Sequence, residues 1–398
     1  MPDDVLPKLL LLLFFMKILH LNDDYSPAGG VQQYLLSVCR LLQDAGHQNI
    51  VAYRLDSPHP MREAAHHVPR AADLASLIDQ EQPDVAYVHH VHAPEHVTAV
   101  ARRLPALGYV HGFAAVCPGL AKHFRRGDGI CAYPFGWRCF PLHYLRRCSA
   151  ARHPRTVLRR IQGTAQLKAA YAALPRLLVA STYMRALLLQ NGFAASQVAV
   201  LPPHFVQEED IPPYAPPTDP HTILFAGRLE MEKGVPYLLR ALVHMPAHIR
   251  LVVAGDGTLR PLYERLAARL GLSARVTFMG WLPPAALQAC YRRCAVLALP
   301  TITPEAFGKV GLEALAHGRP VAAFAVGGIP DWLDNAQCGL LVSPADWRQL
   351  AVALTILLAH PDHQAALDRQ QRVRCRYPAA AHLDALLQAF TDILRADA

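Results

Sequence analysis

Short, continuous apolar runs alternate along this chain with longer segments in which apolar residues recur at helical spacing. Such runs are typical of buried parallel strands, and the longer segments are typical of amphipathic helices that cross between them. The alternation therefore predicts an α/β protein with a parallel sheet in each half of the chain. The predicted strands are 16–21, 49–52, 85–88, 108–111, 177–180, 198–201, 223–226, 249–254, 276–279, 295–298 and 321–324.

A stretch rich in proline and acidic residues interrupts this pattern at 206–220. Proline is poorly tolerated inside helices and sheets, so the stretch is predicted to be a linker. We expect two doubly wound, Rossmann-like domains that face each other across a cleft, with ligands beyond the carboxyl ends of the strands. The predicted parts are an extension at 1–15, an N-terminal acceptor-side domain at 16–205, the linker, a C-terminal nucleotide-sugar-binding domain at 221–377, and a helix at 378–398 that packs back on the N-terminal domain.

The start of the chain carries a short apolar run, Leu9 to Phe15. A membrane span needs ~20 apolar residues, and a secretory signal begins with basic residues, whereas this chain begins Met-Pro-Asp-Asp. Met16 is interpreted as the natural start. These observations favour a cytoplasmic protein, with peripheral association at the inner face of the plasma membrane as a further expectation.

The formal net charge is +8 and the isoelectric point is about 9.1, which favours anionic partners. Arginines are concentrated between Lys122 and Arg160, where acidic residues are nearly absent. No zinc finger or aromatic RNA-binding signature accompanies them, so nucleic acid is not predicted as a partner. A membrane-facing or anionic-acceptor surface is favoured, and an ordinary solvated basic surface is the alternative.

Two groups of residues resemble metal ligands by type. The nine cysteines are an odd number, which argues against a disulfide framework. Four of them lack the CxxC spacing of zinc sites, so buried thiols are favoured over a metal site or a local disulfide, and their role is left open. His89, His90 and His92 are interpreted as a polar wall of the cleft, and no metal is predicted. The four cysteines are Cys117, Cys131, Cys139 and Cys148.

A loop with two cations follows the predicted strand 223–226. Gly227 lets the backbone turn sharply, and Arg228 and Lys233 are five residues apart on the loop. An arginine can grip two phosphate oxygens at once, and a lysine acts as a mobile point charge. The loop therefore predicts a diphosphate site, with a solvated turn as the alternative.

A second loop, 300–308, follows the predicted strand 295–298 and leads into a helix. Gly308 allows close entry into that helix, which leaves the first backbone N–H groups available to phosphate. Glu305 can accept hydrogen bonds from sugar hydroxyls, and Glu313 from ribose hydroxyls. Glycine loops at Gly255 and at 327–328 also follow predicted strands. The predicted donor-binding residues of the second loop and its helix are Phe307, Gly308, Lys309, Val310 and Glu313.

Taken together, these motifs resemble family 4 of the retaining glycosyltransferases, which have the GT-B fold. The matching pieces are G-R-L-x-x-E-K-G at 227–234, G-D-G at 255–257, E-x7-E at 305–313, E-A-L-A-H-G-R-P-V at 313–321 and G-G-I-P at 327–330. The resemblance implies that Arg228 and Lys233 bind the donor diphosphate, that Glu305 binds the transferred sugar, and that Glu313 binds the ribose.

The N-terminal half resembles the family less tightly. The pair Gly29–Gly30 matches a glycine loop that approaches the donor phosphates and the acceptor, and His111 matches a strand-end histidine at the donor sugar. Many members have an aspartate after that histidine, where this chain has Gly112. The catalytic residues implied are therefore His111, Arg228, Lys233 and Glu305.

The predicted function is transfer of a hexose-type sugar from a UDP- or GDP-sugar to a glycan hydroxyl, in cell-surface polysaccharide or lipid-linked glycan synthesis. The resemblance implies retention of configuration. No Asp-x-Asp motif lies near the predicted site, so a metal-independent reaction without cofactors is expected. A nucleotide-sugar epimerase and a non-catalytic nucleotide-sugar-binding subunit are the alternatives.

Overall fold

The computed structural model describes residues 15–25, 29–55, 65–127, 129–204, 211–334 and 337–397. The chain divides into two compact units. The first unit comprises Met1–Gly127, Cys131–Pro203 and Ala379–Ala398, and the second comprises Asp128–Ile130 and His204–Pro378. Most of the predicted extension and the first part of the predicted linker lie outside the described residues.

The first unit is built on a parallel sheet, which has seven strands among the described residues. Its strands, in the order in which they pair, are β3 (Ala65–His67), β2 (Gln48–Tyr53), β1 (Lys17–Asn22), β4 (Val85–Val88), β5 (Ala106–Val110), β8 (Arg176–Val179) and β9 (Val198–Val200). Two short strands, β6 (His123–Phe124) and β7 (Gly129–Ile130), lie outside this sheet. The helices are α1 (Gly30–Asp44), α2 (Ala71–Glu81), α3 (Pro94–Ala101), α4 (Cys139–Arg146), α5 (Pro154–Ala172) and α6 (Thr182–Gln190).

Burial explains why these segments fold as they do. Strands β4 and β5 are buried along their whole length, as expected for central strands covered on both faces. Helix α1 buries one face, which includes Tyr34, Leu35 and Val38. Val31 lies in the first turn of α1 and is only partly buried. Ser181 caps α6 by accepting a hydrogen bond from the Met184 backbone N–H.

The second unit is built on another parallel sheet, with six strands among the described residues. Their order is β12 (Val276–Gly280), β11 (Arg250–Ala254), β10 (Thr222–Ala226), β13 (Val296–Leu299), β14 (Val321–Phe324) and β15 (Gly339–Val342). The strand order reverses between β10 and β13, so the loops that follow these two strands diverge from a common point. Ligands bind at such switch points in open α/β sheets.

The helices of the second unit cover this sheet. They are α7 (Val235–Val243), α8 (Arg260–Arg269), α9 (Pro284–Arg293), α10 (Lys309–Ala316), α11 (Trp347–Ala359) and α12 (His363–Arg376), with short 3₁₀ turns at Met231–Lys233 and Ile329–Asp331. No helix among the described residues is both long enough and apolar enough to cross a bilayer.

The last helix, α13 (Ala379–Asp397), belongs to the first unit. His382 of this helix approaches the Tyr34 hydroxyl at 3.1 Å through Nε2, and its Nδ1 lies 2.9 Å from the Pro202 carbonyl oxygen. Phe390 packs edge-on against Tyr87 of β4. These contacts fix the end of the chain on the first sheet.

Candidate functional site

Loops after neighbouring strands of the second sheet approach each other so closely that only glycine fits at their crossing points. The Gly227 N–H donates to the Ala254 carbonyl at 3.0 Å, and the Leu229 N–H donates to the Asp256 carbonyl at 2.8 Å. A Cβ atom on Gly255 would lie 1.9 Å from the Gly227 carbonyl oxygen. The sequence predicted these two glycines as donor-binding, and the structure brings them into direct contact.

A second crossing joins the loop after β10 to the loop after β13. Gly234 has a left-handed backbone (φ 67°), and a Cβ atom there would lie 1.8 Å from the Pro300 carbonyl oxygen. The Glu232 carbonyl accepts hydrogen bonds at 2.9 Å from the Ile302 N–H and from the Thr301 hydroxyl. The two loops at the switch point are therefore held together through their backbones.

A third crossing positions Glu305. Its carbonyl accepts a hydrogen bond from the Gly328 N–H at 2.8 Å, and a Cβ atom on Gly327 would lie 2.2 Å from the same oxygen. The loop after β14 therefore fixes the backbone position of Glu305.

Lys233 and Glu305 form an ion pair at the switch point. The Lys233 Nζ donates to Glu305 Oε1 at 2.5 Å, and both side chains are partly buried. The sequence assigned them to different parts of a ligand and did not predict their contact, because 72 residues separate them. The structure therefore places a cation and a carboxylate, which can bind phosphate and sugar hydroxyls respectively, at one point.

Arg228 lies on the same loop but is oriented differently. Its side chain is 72% exposed and pairs with Glu232 at 3.3 Å, one turn along the chain. Pairs as exposed as this contribute little to stability. Arg228 is therefore free to change rotamer at little cost and to engage a ligand phosphate bidentately.

Helix α10 begins beside these loops with an open N-terminus. Gly308 precedes it with a left-handed backbone (φ 89°), and no side chain caps the helix start. The first backbone N–H groups of a helix have no partner within the helix, so those of Lys309 and Val310 are available to an anion. Burial lowers the pKa of Lys309, and the nearby carboxylate of Glu313 partly offsets this effect.

The start of α10 is held by a tryptophan that the sequence analysis did not identify. The buried Trp332 donates from Nε1 to the Phe307 carbonyl at 2.6 Å. A Cβ atom on Gly311 would lie 1.9 Å from the Trp332 ring, so this ring also packs against the first turn of the helix. The G-G-I-P motif, which ends two residues before Trp332, was the sequence signal that could have identified it.

Glu313 has a partner that explains its place in an apolar helix. The buried Tyr291 hydroxyl donates to Glu313 Oε2 at 2.8 Å. Burial and the nearby Glu313 carboxylate raise the pKa of Tyr291 well above its usual value, so the hydroxyl keeps its proton. Tyr291 thereby orients a carboxylate that still has acceptor positions for a ligand diol.

Tyr291→Phe should weaken nucleotide binding roughly 2- to 10-fold, the range expected for loss of one hydrogen bond that orients a binding group. Titration with a nucleoside diphosphate measures the effect. Tyr263→Phe is the matched control, because the Tyr263 hydroxyl is buried without a hydrogen-bond partner among the described residues. Equal affinity of the Tyr291 variant and wild type would remove Tyr291 from this role.

In the first unit, His111 follows β5 and lies among aromatic rings. Its ring centroid is 4.5 Å from that of Tyr109, 5.2 Å from that of Tyr34 and 5.8 Å from that of His89. His111 is partly exposed, but its Nε2 is buried and has no hydrogen-bond partner among the described residues. Burial holds the pKa of His111 well below its usual value, and the nearby His90 acts in the same direction. The imidazole is therefore neutral at physiological pH.

The predicted glycine pair lies at the start of α1. Gly29 is the N-cap residue, with a positive φ of 111°, and Gly30 begins the helix. The Gly29 carbonyl accepts the Gln33 N–H at 3.1 Å. No side chain caps this helix either.

The histidines after β4 have separate roles. His89 is fully buried and stacks on His20, whereas His92 donates to Asp23 at 2.7 Å. Arg54 also donates to Asp23, at 2.8 Å. The pKa of Asp23 is lowered to about 2, because these two hydrogen bonds and the two charges outweigh the opposing effect of burial.

No group of His, Cys, Asp and Glu side chains within the described part of the chain is arranged to hold a metal ion.

The four clustered cysteines are free thiols. Cys117 is buried and the others are partly buried. Burial raises the pKa of Cys148 to about 12 and also raises that of Cys117, so both remain protonated. Of the four, only Cys117 is the buried thiol that the sequence predicted.

Buried histidines make the first unit sensitive to acid. Burial lowers the pKa of His20 and of His90 to about 4, and holds the pKa values of His89 and His111 well below their usual range. The unfolded chain takes up these protons near pH 6.5 and the folded chain does not, so the free energy of unfolding should fall as pH drops from about 6.5 towards 4. For His20 alone the loss is roughly 3 kcal/mol.

Urea unfolding at a series of pH values measures this slope. His20→Gln should reduce the slope by about one proton. The exposed His360→Gln is the control and should leave the slope unchanged. If the free energy of unfolding of the wild type did not change between pH 7 and about 4.5, the neutral state of the buried histidines would be contradicted.

Two family profiles together match most of the chain. Glycosyltransferase Family 4 matches residues 28–205, and Glycosyl transferases group 1 matches residues 206–374. The two matches meet where the predicted N-terminal domain ends and the predicted linker begins.

Curated relatives match parts of the chain. An uncharacterized glycosyltransferase of Methanocaldococcus jannaschii is 37% identical over 33% of this chain and 34% of its own length. The D-inositol 3-phosphate glycosyltransferase of Xylanimonas cellulosilytica is 38% identical over 44% of this chain and 43% of its own length. The matched region therefore spans less than half of these relatives.

Solved structures resemble nearly the whole chain. Anabaena HepE in complex with UDP-glucose has a TM-score of 0.69 and 20% identity, over 95% of this chain and all of that one. Sucrose-phosphate synthase of Thermosynechococcus elongatus has a TM-score of 0.71 and 19% identity, over 96% of this chain and all of that one. These similarities confirm the GT-B fold, with two parallel-sheet, Rossmann-like domains.

Proposed function

The chain belongs to family 4 of the glycosyltransferases, and on that basis we propose that it moves a hexose-type sugar from a UDP- or GDP-sugar to a glycan hydroxyl. We propose further that the anomeric configuration is retained and that no metal takes part. The acceptor is proposed to be a cell-surface polysaccharide or a lipid-linked glycan at the inner face of the plasma membrane.

The observation that supports this proposal most strongly is the Lys233–Glu305 pair at the switch point of the second sheet. The exposed Arg228 follows the same strand as Lys233, and the uncapped start of α10 follows the loop that carries Glu305. One site therefore offers two cations and helix N–H groups to a diphosphate, and a carboxylate to a sugar. The UDP-glucose complex of HepE is a precedent for a nucleotide sugar on this fold.

In the proposed reaction, the bond between the anomeric carbon and the diphosphate oxygen breaks as the acceptor oxygen bonds to the same face of that carbon. The diphosphate leaves with the electron pair of the broken bond, and a phosphate oxygen takes the acceptor proton. Arg228, Lys233 and the α10 N–H groups stabilise the negative charge that develops on the leaving group. Glu305 holds the sugar hydroxyls, and Glu313 holds the ribose.

His111 is proposed to act at the transferred sugar, as the family resemblance implies. Because its imidazole is neutral, it can donate one hydrogen bond to a sugar hydroxyl without adding a positive charge near the oxocarbenium-like carbon. Gly112 follows His111 and supplies no carboxylate. The proposed mechanism accordingly assigns no step to an acidic group at that position.

A panel of UDP-, GDP- and ADP-sugars, first screened by thermal stabilisation, tests the proposed function. A ligand that binds only the folded protein raises its melting temperature, so one base and one sugar should stand out. The selected donor should then yield nucleoside diphosphate and a glycoside of unchanged anomeric configuration. An isomerised donor without acceptor would indicate an epimerase, and binding without turnover would indicate a non-catalytic subunit.

A further inference from the structure

The net positive charge of this protein arises in one segment that lacks acidic residues. Residues 129–207 contain ten Lys and Arg residues and no Asp or Glu. The whole chain has 39 basic and 31 acidic residues, so the remainder carries slightly more acidic than basic ones. The segment therefore accounts for the entire excess of +8, and its arginines have no acidic neighbour within it.

The same segment exposes large apolar side chains. Trp137 is 79% exposed and Leu145 is 64% exposed. On helix α4, Phe140 and Tyr144 are exposed one turn apart and pack edge-on at 5.5 Å between ring centroids. Leu158 of α5 is exposed as well. Single exposed apolar residues are ordinary, but five large ones within residues 137–158 are typical of an interaction site.

Helix α4 is anchored so that its apolar side chains remain outside. His143 of this helix is buried, and its Nε2 lies 2.9 Å from the Ala151 carbonyl oxygen. With that side chain turned inward, Phe140, Tyr144 and Leu145 are left on the exposed part of the helix. The exposure of these residues is therefore a property of the folded segment.

Arginines are interleaved with these apolar residues. The Arg138 guanidinium lies 5.6 Å from the Trp137 ring and 5.8 Å from the Tyr133 ring. Five more arginines between 146 and 159 are exposed. They are Arg146, Arg147, Arg152, Arg155 and Arg159. Aromatic and leucine side chains with arginines around them match the two layers of a bilayer surface, the acyl boundary and the anionic headgroups.

We propose that residues 133–160, termed the basic-aromatic surface, dock the protein on an anionic lipid bilayer. Trp137, Phe140, Tyr144 and Leu145 enter the headgroup layer, and the arginines bind lipid phosphates. Nucleic acid offers similar phosphates, but Leu145 and Leu158 have no ring for base stacking, whereas a bilayer accepts them. This inference does not depend on sugar transfer, because docking requires neither donor nor acceptor.

Co-sedimentation of the full-length protein with vesicles tests the proposal. The protein should bind phosphatidylcholine vesicles that contain phosphatidylglycerol and should bind pure phosphatidylcholine vesicles at least 100-fold more weakly. Arg146→Gln, Arg147→Gln, Arg155→Gln and Arg159→Gln combined should weaken binding by at least 100-fold, since each arginine near such a surface contributes roughly 5-fold. Trp137→Ala with Leu145→Ala should weaken it roughly 10-fold and leave the residual binding more sensitive to salt.

Matched controls lie in the second unit. Trp281 is exposed like Trp137, and Arg265 and Arg269 are exposed on α8. Trp281→Ala and the combined Arg265→Gln and Arg269→Gln variant should bind vesicles as wild type does. Unchanged melting temperatures show that the variants are folded. Equal binding to both kinds of vesicle, equal losses in the control variants, or tight binding to oligonucleotides but not to vesicles would overturn the proposal.

Discussion

Replacing Lys233 by alanine should lower the rate of sugar transfer roughly 100- to 1,000-fold, the range measured when one preorganised group that stabilises developing negative charge is removed. Lys233 is held at the switch point by its ion pair with Glu305, and the donor diphosphate is proposed to lie there. Arg228→Ala should have an effect of the same order. Arg228→Ala should change the free energy of unfolding by about 1 kcal/mol or less, because the Arg228 pair is exposed. Lys233→Ala should lower it by roughly 1–3 kcal/mol, because it leaves the partly buried Glu305 carboxylate without its partner.

Steady-state transfer with the donor found in the screen measures this effect. Arg240→Ala, an exposed arginine on α7 of the same unit, is the control and should turn over normally. If Lys233 acts only by positioning Glu305, the variant with both residues changed will be no slower than Glu305→Ala alone. An additional loss in the double variant supports direct contact of Lys233 with the diphosphate, and near-normal turnover of Lys233→Ala would refute the mechanism.

Gly234→Ala should destabilise the protein by roughly 2–5 kcal/mol and weaken donor binding as well. The left-handed backbone costs a residue with a Cβ atom about 1–2 kcal/mol, and the steric conflict adds about 1–3 kcal/mol. The conflict is severe, because the new Cβ atom would lie 1.8 Å from the Pro300 carbonyl oxygen. The two loops must then separate, which moves Lys233 away from Glu305.

Gly271→Ala is a matched control for this substitution. Gly271 has nearly the same backbone (φ 71° against 67°), but a Cβ atom there meets nothing within 4 Å. Urea unfolding should therefore show only the backbone cost of about 1–2 kcal/mol. If Gly234→Ala proved no more destabilising than Gly271→Ala, the close crossing of the loops would be contradicted.

The sequence predicted the fold and the donor loops because both depend on local patterns. Apolar runs alternated with helical segments, and glycines followed the strands at Gly227, Gly255 and Gly308. In a parallel sheet the carboxyl ends of the strands share one edge, so these loops had to lie on one side of the sheet. Strands β3, β6, β7 and β15 were not predicted. The sequence of β3 is Ala-His-His, which contains no continuous apolar run.

The contacts within the site could not be predicted in the same way. The Lys233–Glu305 pair and the Tyr291–Glu313 hydrogen bond join residues that are 72 and 22 positions apart. Whether such side chains meet depends on the order of the strands, and the alternation of strands and helices does not specify that order. The position of Trp332 under the start of α10 depends in addition on the loop after β14.

The surroundings of His111 show the same limit. The sequence placed this histidine at a strand end, but the burial that keeps it neutral depends on the rings packed around it. Tyr34 comes from α1 and Tyr109 from β5, and His89 follows β4. Only the folded sheet reveals that this imidazole is buried on one side.

The central claim is that the second unit binds a nucleoside diphosphate through the switch-point loops. Calorimetric titration of wild type, Lys233→Ala and Arg240→Ala with UDP and with GDP tests it most directly. One of the two nucleotides should bind wild type and Arg240→Ala at a single site with equal affinity, and bind Lys233→Ala at least about 10-fold more weakly, as loss of a charged contact predicts. Undiminished affinity in Lys233→Ala, or no binding of either nucleotide to wild type, would contradict the claim.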